Sequence, residues 1–243
     1  MFGRSAKSAL LLIALASTPA YARKQNFTSG SAFGVGLIAG LERVPRNDFT
    51  GGTQATNSNY GRYYAFEPFF DLLNLQLRLH GGWHFYPEVG GSGTDGYGTF
   101  VEKSDAGSFD YGARLLLSPW MSSSFHHRLY FVAGVGMSNV KLKNSRTYTS
   151  GGMFDQTNTE RLEASGTELN GGVGFEFFLV QNYSLALEFG YASRKADRFT
   201  YKSTTDVTRA PRSESDVALQ PDGTSKGFHV WSPYFQLALN LNL

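Results

Sequence analysis

Apolar and polar residues alternate with a period of two along most of this chain, the mark of β-strands that lie between an apolar and a polar environment. Over residues 32–42, Phe33, Val35, Leu37, Ala39 and Leu41 share one face and Gly34, Gly36, Ile38, Gly40 and Glu42 the other. Residues 63–72 repeat the pattern, with Tyr64, Phe66, Pro68, Phe70 and Leu72 opposite Tyr63, Ala65, Glu67, Phe69 and Asp71. A third strand, 75–85, sets Leu77, Leu79, Gly81, Trp83 and Phe85 against Gln76, Arg78, His80, Gly82 and His84. The fourth, 109–118, carries Asp110, Gly112, Arg114 and Leu116 on its polar side. The fifth, 129–140, is ambiguous, because Tyr130 and Val132 oppose Leu129, Phe131, Ala133, Val135 and Met137. The sixth, 167–179, the seventh, 183–194, and the eighth, 228–243, return to clear alternation, with Glu168, Glu176 and Glu188 on the polar side.

The links between these strands fall into two classes. Those after strands two, four and six are short: 73–74, 119–128 and 180–182. Those after strands one, three, five and seven are long and polar: 44–60, 86–108, 141–166 and 195–227. Short turns on one side and long loops on the other are the signature of an antiparallel, up-and-down membrane barrel with both ends in the periplasm. The alternation alone would also suit a soluble barrel or sandwich with its apolar face inward.

A leader, together with the two classes of link and the apolar alternation up to the last residue, decides between them. Arg4 and Lys7 precede an apolar run over 9–16 and the small-residue site Ala20-Tyr21-Ala22, the order of a secretory signal peptide over 1–22. The run falls short of the roughly 20 apolar residues of a spanning helix. The mature part, 23–243, then reads as one barrel domain. The mean hydropathy of −0.26 is compatible with this, since a barrel shows only alternate residues to lipid. Taking Arg4 and Lys7 from the 22 basic residues leaves 20 against 20 acidic ones, a neutral balance that points to no nucleic acid. The chain has no cysteine, so neither disulfides nor thiol chemistry enter.

The fold class these features define is all-β: an eight-stranded antiparallel transmembrane up-and-down β-barrel with short periplasmic turns and long extracellular loops. Its polar face gathers Glu67, Asp71, Arg78, Asp110, Arg114, Glu168, Glu176 and Glu188, with Arg194 at the end of strand seven. Eight strands enclose a lumen just wide enough for side chains, so these residues are expected to form a lumen charge network in which each arginine meets a carboxylate. Solvation by lumen water is the alternative. The inward glycines leave space that Phe69, Tyr130 and Phe178 could fill. Pro68 and Pro233 sit inside predicted strands, where a bulge or strand end is expected and a functional kink is the alternative.

The leader, the segment Tyr64-Ala65-Phe66-Glu67-Pro68-Phe69-Phe70-Asp71-Leu72, the glycine-rich strands and the apolar alternation up to the last residue resemble the OmpA/OmpX/OmpW-type superfamily of small outer-membrane barrels. The resemblance implies location in the outer membrane, contact with its lipids and lipopolysaccharide, assembly through the C-terminal strand by the barrel-assembly machinery, and a monomer. Members usually end in an aromatic residue, whereas this chain ends in Leu243. No peptidoglycan-binding domain follows strand eight, so an anchoring role does not carry over.

Three function classes remain. A lipid A-modifying enzyme would need His and Ser side by side on one lipid-facing strand, but His229 and Ser232 have odd spacing and so opposite faces. His80 and His84 share a face about 13 Å apart, too far for a metal pair or catalytic dyad. His126 and His127, in the turn before strand five, offer only two ligands. No enzyme, cofactor or metal is therefore expected. A structural or interaction barrel with a largely filled lumen and contact loops makes the fewest demands, with a narrow pore for small or hydrophobic solutes as the second reading.

Overall fold

The computed structural model describes residues 33–43, 60–72, 74–121, 127–180, 182–205, 212–219 and 223–243. The predicted leader lies outside them, as does most of the first long link. The described chain is all strand and turn: β1 (Phe33–Arg43), β2 (Tyr60–Leu72), β3 (Leu75–Phe85), β4 (Val89–Asp95), β5 (Gly98–Met121), β6 (His127–Tyr148), β7 (Thr157–Val180), β8 (Tyr183–Ala196), β9 (Thr200–Thr205) and β10 (Phe228–Asn242). Eight of them close a ring through antiparallel ladders in the order β1, β2, β3, β5, β6, β7, β8, β10 and back to β1. Closure leaves no open edge within the hydrocarbon layer, the condition for crossing a bilayer with strands. β4 and β9 lie outside the ring and extend the outer halves of β5 and β7.

The long links differ from the sequence expectation. Residues 98–108, 141–148 and 157–166, predicted as loop, continue β5, β6 and β7 beyond the membrane as hydrogen-bonded ladder. The predicted loop 195–227 contains β9, which pairs with β7. The short turn before β6 is also shorter than 119–128, since Trp120 pairs with Leu129 and Met121 with Arg128. The ladder irregularity between Leu117 and Trp120 brackets Pro119. At Pro68 no bulge forms: Phe66 pairs with Gly81 and Phe69 with Arg78, so the register is unchanged across the proline. The ladder to β3 lacks the rungs of Glu67 and Pro68, a local gap at the residue without an N–H. Pro233 lies one residue outward of Tyr234, where the β1–β10 pairing ends, so its missing donor breaks no bond to β1, and it sits inside β10 with the register to β8 unbroken, opposite Tyr191.

Burial explains why the polar extensions still form strands. Within the membrane the apolar residues point outward: Leu169, Val173 and Leu179 of β7 are exposed, and the alternate residues Glu168, Gly174 and Glu176 face in. The outward apolar run from Leu169 to Leu179 spans about 25 Å at ~3.4 Å per residue and a strand tilt of ~40°, a match to the hydrocarbon layer. Above that run the phase inverts. On β6, Phe131, Val135 and Met137 face out, but Val140 and Leu142 face in. On β7, Leu162 and Ala164 face in, and on β10 Trp231 faces out while Phe228 and Val230 face in. The barrel is thus inside-out where lipid surrounds it and has an ordinary apolar core where water does. That outer core joins Tyr86, Val140, Leu142, Leu162, Phe199, Tyr201, Ala218, Phe228 and Val230 across the barrel mouth.

Candidate functional site

Inside the ring, alternate residues of every strand converge on a lumen that side chains fill. Four glycines sit directly across a ladder from an aromatic residue: Gly34 from Phe69, Gly40 from Tyr63, Gly174 from Tyr130 and Gly190 from Tyr234. A methyl group on Gly40 or Gly174 would lie 2.1 Å from the facing ring, so each ring occupies the space its glycine vacates. Phe69 and Tyr130 therefore fill lumen volume, while Phe178 is only half-buried.

The charged groups lie in three tiers. Nearest the periplasm, Arg128 bonds Glu176 and lies 3.6 Å from Asp71. Gln76 donates to Asp71 at 3.1 Å, and Glu176 also accepts from Ser184 and, at 2.9 Å, from Asn240. In the middle tier Arg78 and Arg114 stand directly opposite each other on β3 and β5, a repulsive placement by itself. Glu67 joins them, accepting from Arg78 Nη1 at 3.1 Å and from Arg114 Nη1 at 2.7 Å, with His80 Nδ1 at 2.8 Å. Arg114 also bonds Glu188, which accepts from the Tyr234 hydroxyl at 2.7 Å and the Tyr130 hydroxyl at 3.3 Å. In the outer tier Arg194 bonds Asp110, Glu42 at 2.6 Å and Glu168 at 3.3 Å. His84 lies between Glu42, 3.1 Å from Nδ1, and Asp110, 3.0 Å from Nε2, with Tyr63 stacked on its ring.

All eight residues singled out from the sequence are at least nine-tenths buried in the lumen. The structure distributes them over three tiers rather than one cluster, brings Arg194 into the outer tier, and adds Glu42, His80, His84 and Arg128 to the ion pairs. Glu42 stood on the inward face of strand one and was legible there. Arg128 is hidden by its place in the predicted link 119–128; the alternation extended two residues back from Tyr130 turns it inward.

Between the middle and outer tiers lies a cavity of about 20 Å³, lined among others by Glu42, His84, Arg114, Glu168, Asn170 and Arg194. That is room for a water molecule or two, not for a solute. Arg114 Nε and Asn170 Oδ1 have no partner within the protein, a donor and an acceptor that such a water would satisfy. Among the described residues no group of three or more His, Cys, Asp or Glu could hold a metal ion. His229 is exposed and Ser232 buried, on opposite faces of β10.

Beyond the membrane, the β4–β5 hairpin is tied to β6 by Asp95. Its carboxylate accepts from the Tyr97 backbone N–H and the Tyr148 hydroxyl, both at 2.9 Å, and from Arg146 at 3.3 Å. Desolvation opposes ionisation of Asp95, but these donors outweigh it and hold the carboxyl below its ordinary value of 3.8. Arg146 also bonds Glu102 at 3.3 Å and packs over the Phe100 ring.

A closed ring of eight strands, lipid-facing apolar residues and a polar, filled interior define a small membrane β-barrel. The sequence profile of the family described as outer membrane protein beta-barrel domain matches residues 8–209, and the chain belongs to that family. Its place is therefore the outer membrane. Among solved structures, it is similar to a major outer membrane protein of Thermus thermophilus, with 16% identity over 87% of this chain and 100% of that one and a TM-score of 0.53. Ail of Yersinia pestis has 12% identity over 87% and 97% of the two chains with a TM-score of 0.42, and CarO of Acinetobacter baumannii 13% over 90% and 100% with 0.39. At 16% identity the likeness to the Thermus thermophilus protein is one of fold. No curated protein matches the chain.

Proposed function

We propose that this protein is a non-enzymatic structural and interaction barrel, sealed by its lumen network, whose outer strands and loops present a contact surface to lipopolysaccharide, other cells or ligands. The observation that carries the sealed-lumen part is the middle tier: two opposed arginines are locked by Glu67 and Glu188 at the centre of the barrel. The apolar layer around Phe199 at the mouth supports it, since a solute would have to part both. Isolated charges in such a space are costly, whereas a hydrogen-bonded network is stable. The contact role rests on β5, β6 and β7, which run past the membrane as one paired sheet able to hold loops rigidly. The C-terminal strand β10, paired with both β1 and β8, is the closing strand through which the assembly machinery would act. The second reading, a narrow pore, is favoured only by the small water-sized cavity.

Planar-bilayer conductance of the refolded protein tests the seal. The parent is expected to show little conductance. Replacing Arg78 and Arg114 together with alanine strands Glu67 and Glu188, and is expected to lower thermal stability and open a cation-selective conductance. A parent that conducts steadily, or a double variant that melts and conducts like the parent, overturns the sealed lumen.

A further inference from the structure

The outward faces of β10, β1, β2 and β3 form one continuous apolar surface, and two arginines stand at its outer rim. Arg62 is in register with Leu41 of β1 on one side and with Phe85 of β3 on the other. Arg43 is in register with Tyr60. The two arginines are therefore diagonal neighbours, about 7–8 Å apart at the backbone, a separation their long side chains can close around one anion. Both are exposed. Among the described residues neither has a carboxylate partner, and no Asp or Glu faces outward on these four strands: Glu42, Glu67 and Asp71 all point into the lumen.

The opposite side of the barrel is built differently. There Lys141 has Glu163 at 3.7 Å, Lys202 has the same carboxylate at 3.7 Å, and Lys143 is in register with Asp105. That face supplies its own counter-charges, whereas among the described residues the Arg43–Arg62 rim has none. Leu41 and Phe85 beside Arg62 are lipid-facing, at 48% and 55% exposure, which places the two arginines at the boundary between acyl chains and headgroups. Only an anion tethered to a lipid is presented there at high local concentration. Guanidinium forks bind phosphate through paired hydrogen bonds and tolerate partial dehydration better than an ammonium.

We propose that Arg43 and Arg62 clamp a phosphate group on an outer-leaflet lipid headgroup. The clamp deepens the surface-contact reading above and is independent of the sealed lumen, so conductance and lipid binding fail separately.

The test titrates the refolded full chain, in zwitterionic detergent micelles, with diphosphoryl lipid A, with the same lipid dephosphorylated, and with inorganic phosphate. Tryptophan fluorescence reads binding, Trp83 being in register with Tyr64 just below Arg62. At about 1 kcal/mol per arginine near a charged lipid surface, R43A/R62A is expected to weaken binding of the phosphorylated lipid about 30-fold. The dephosphorylated lipid should bind the parent no better than the phosphorylated lipid binds the variant, and K141A/K143A should bind like the parent. Equal affinity of parent and R43A/R62A, or equal affinity of the parent for both lipids, overturns the clamp. Saturation by inorganic phosphate alone overturns the lipid as its occupant. Should R43A/R62A fail to fold, R43K/R62K keeps the charge and loses the fork; unchanged affinity in that variant also counts against the clamp.

Discussion

Glu67 is the single residue on which the middle tier turns. Its two oxygens hold Arg78, Arg114 and His80, which come from two strands, and its side chain is fully buried. Removing one member of a buried ion pair leaves the others uncompensated, at a cost of about 3–5 kcal/mol. Glu67→Ala is therefore expected to destabilise the barrel by about that amount in urea unfolding from lipid vesicles, because it sets two arginines against each other. A loss of under about 1 kcal/mol would mean that water already solvates them. The identity of these residues was legible in the sequence, because inward and outward positions alternate without interruption from Gly34 to Glu42, from Tyr63 to Asp71 and from Gln76 to His84. Their partners were not. Register across strands decides that Arg78 faces Arg114, and a period-two pattern carries no information about the neighbour.

Among the elements, the strand cores were legible and the outer ends were not, for a physical reason. A strand in lipid announces itself through apolar outward residues, and above the bilayer that signal disappears because both faces can be polar. The stretch Val101-Glu102-Lys103-Ser104-Asp105 reads as loop by composition, yet pairs residue for residue with Asn144 to Thr147 and Lys143 of β6. The surviving clue is the inward series Phe100, Ala106, Val140, Leu142, Leu162 and Ala164, offset by one residue from the lipid-facing series. The outer hairpins should also be the acid-sensitive part. Asp95 is held below 3.8, so its stabilisation is complete above that value and is lost as the pH falls through its lower folded pKa. Amide exchange in β4 and the first residues of β5 is expected to accelerate below about pH 3.8 while the membrane strands stay protected, and Asp95→Asn should abolish the change. Uniform protection at low pH in the parent would show that Asp95 does not anchor the hairpin.

For the whole molecule, the orientation of the faces decides everything else. Leu187 of β8 and Leu237 of β10 are in register with each other on the outward surface. Arginine at either is expected to cost about 2–4 kcal/mol if the pair lies near the bilayer midplane, read by unfolding in vesicles, with the folded band still shifting on boiling. Tolerance at both positions would mean that lipid does not meet this face.

The inversion of the apolar phase at the outer rim has a mechanical consequence. Lifting the molecule outward by one residue pair, about 5 Å along the membrane normal, would push Met137 and Leu169 into water. Sinking it by the same amount would drag Asn139 and Ser165, and then Lys141, into hydrocarbon. Both displacements are uphill, so the barrel floats at one fixed draught. A bilayer that is too thick or too thin must adjust its own lipids around the protein, because the protein has no cheap way to ride higher or lower.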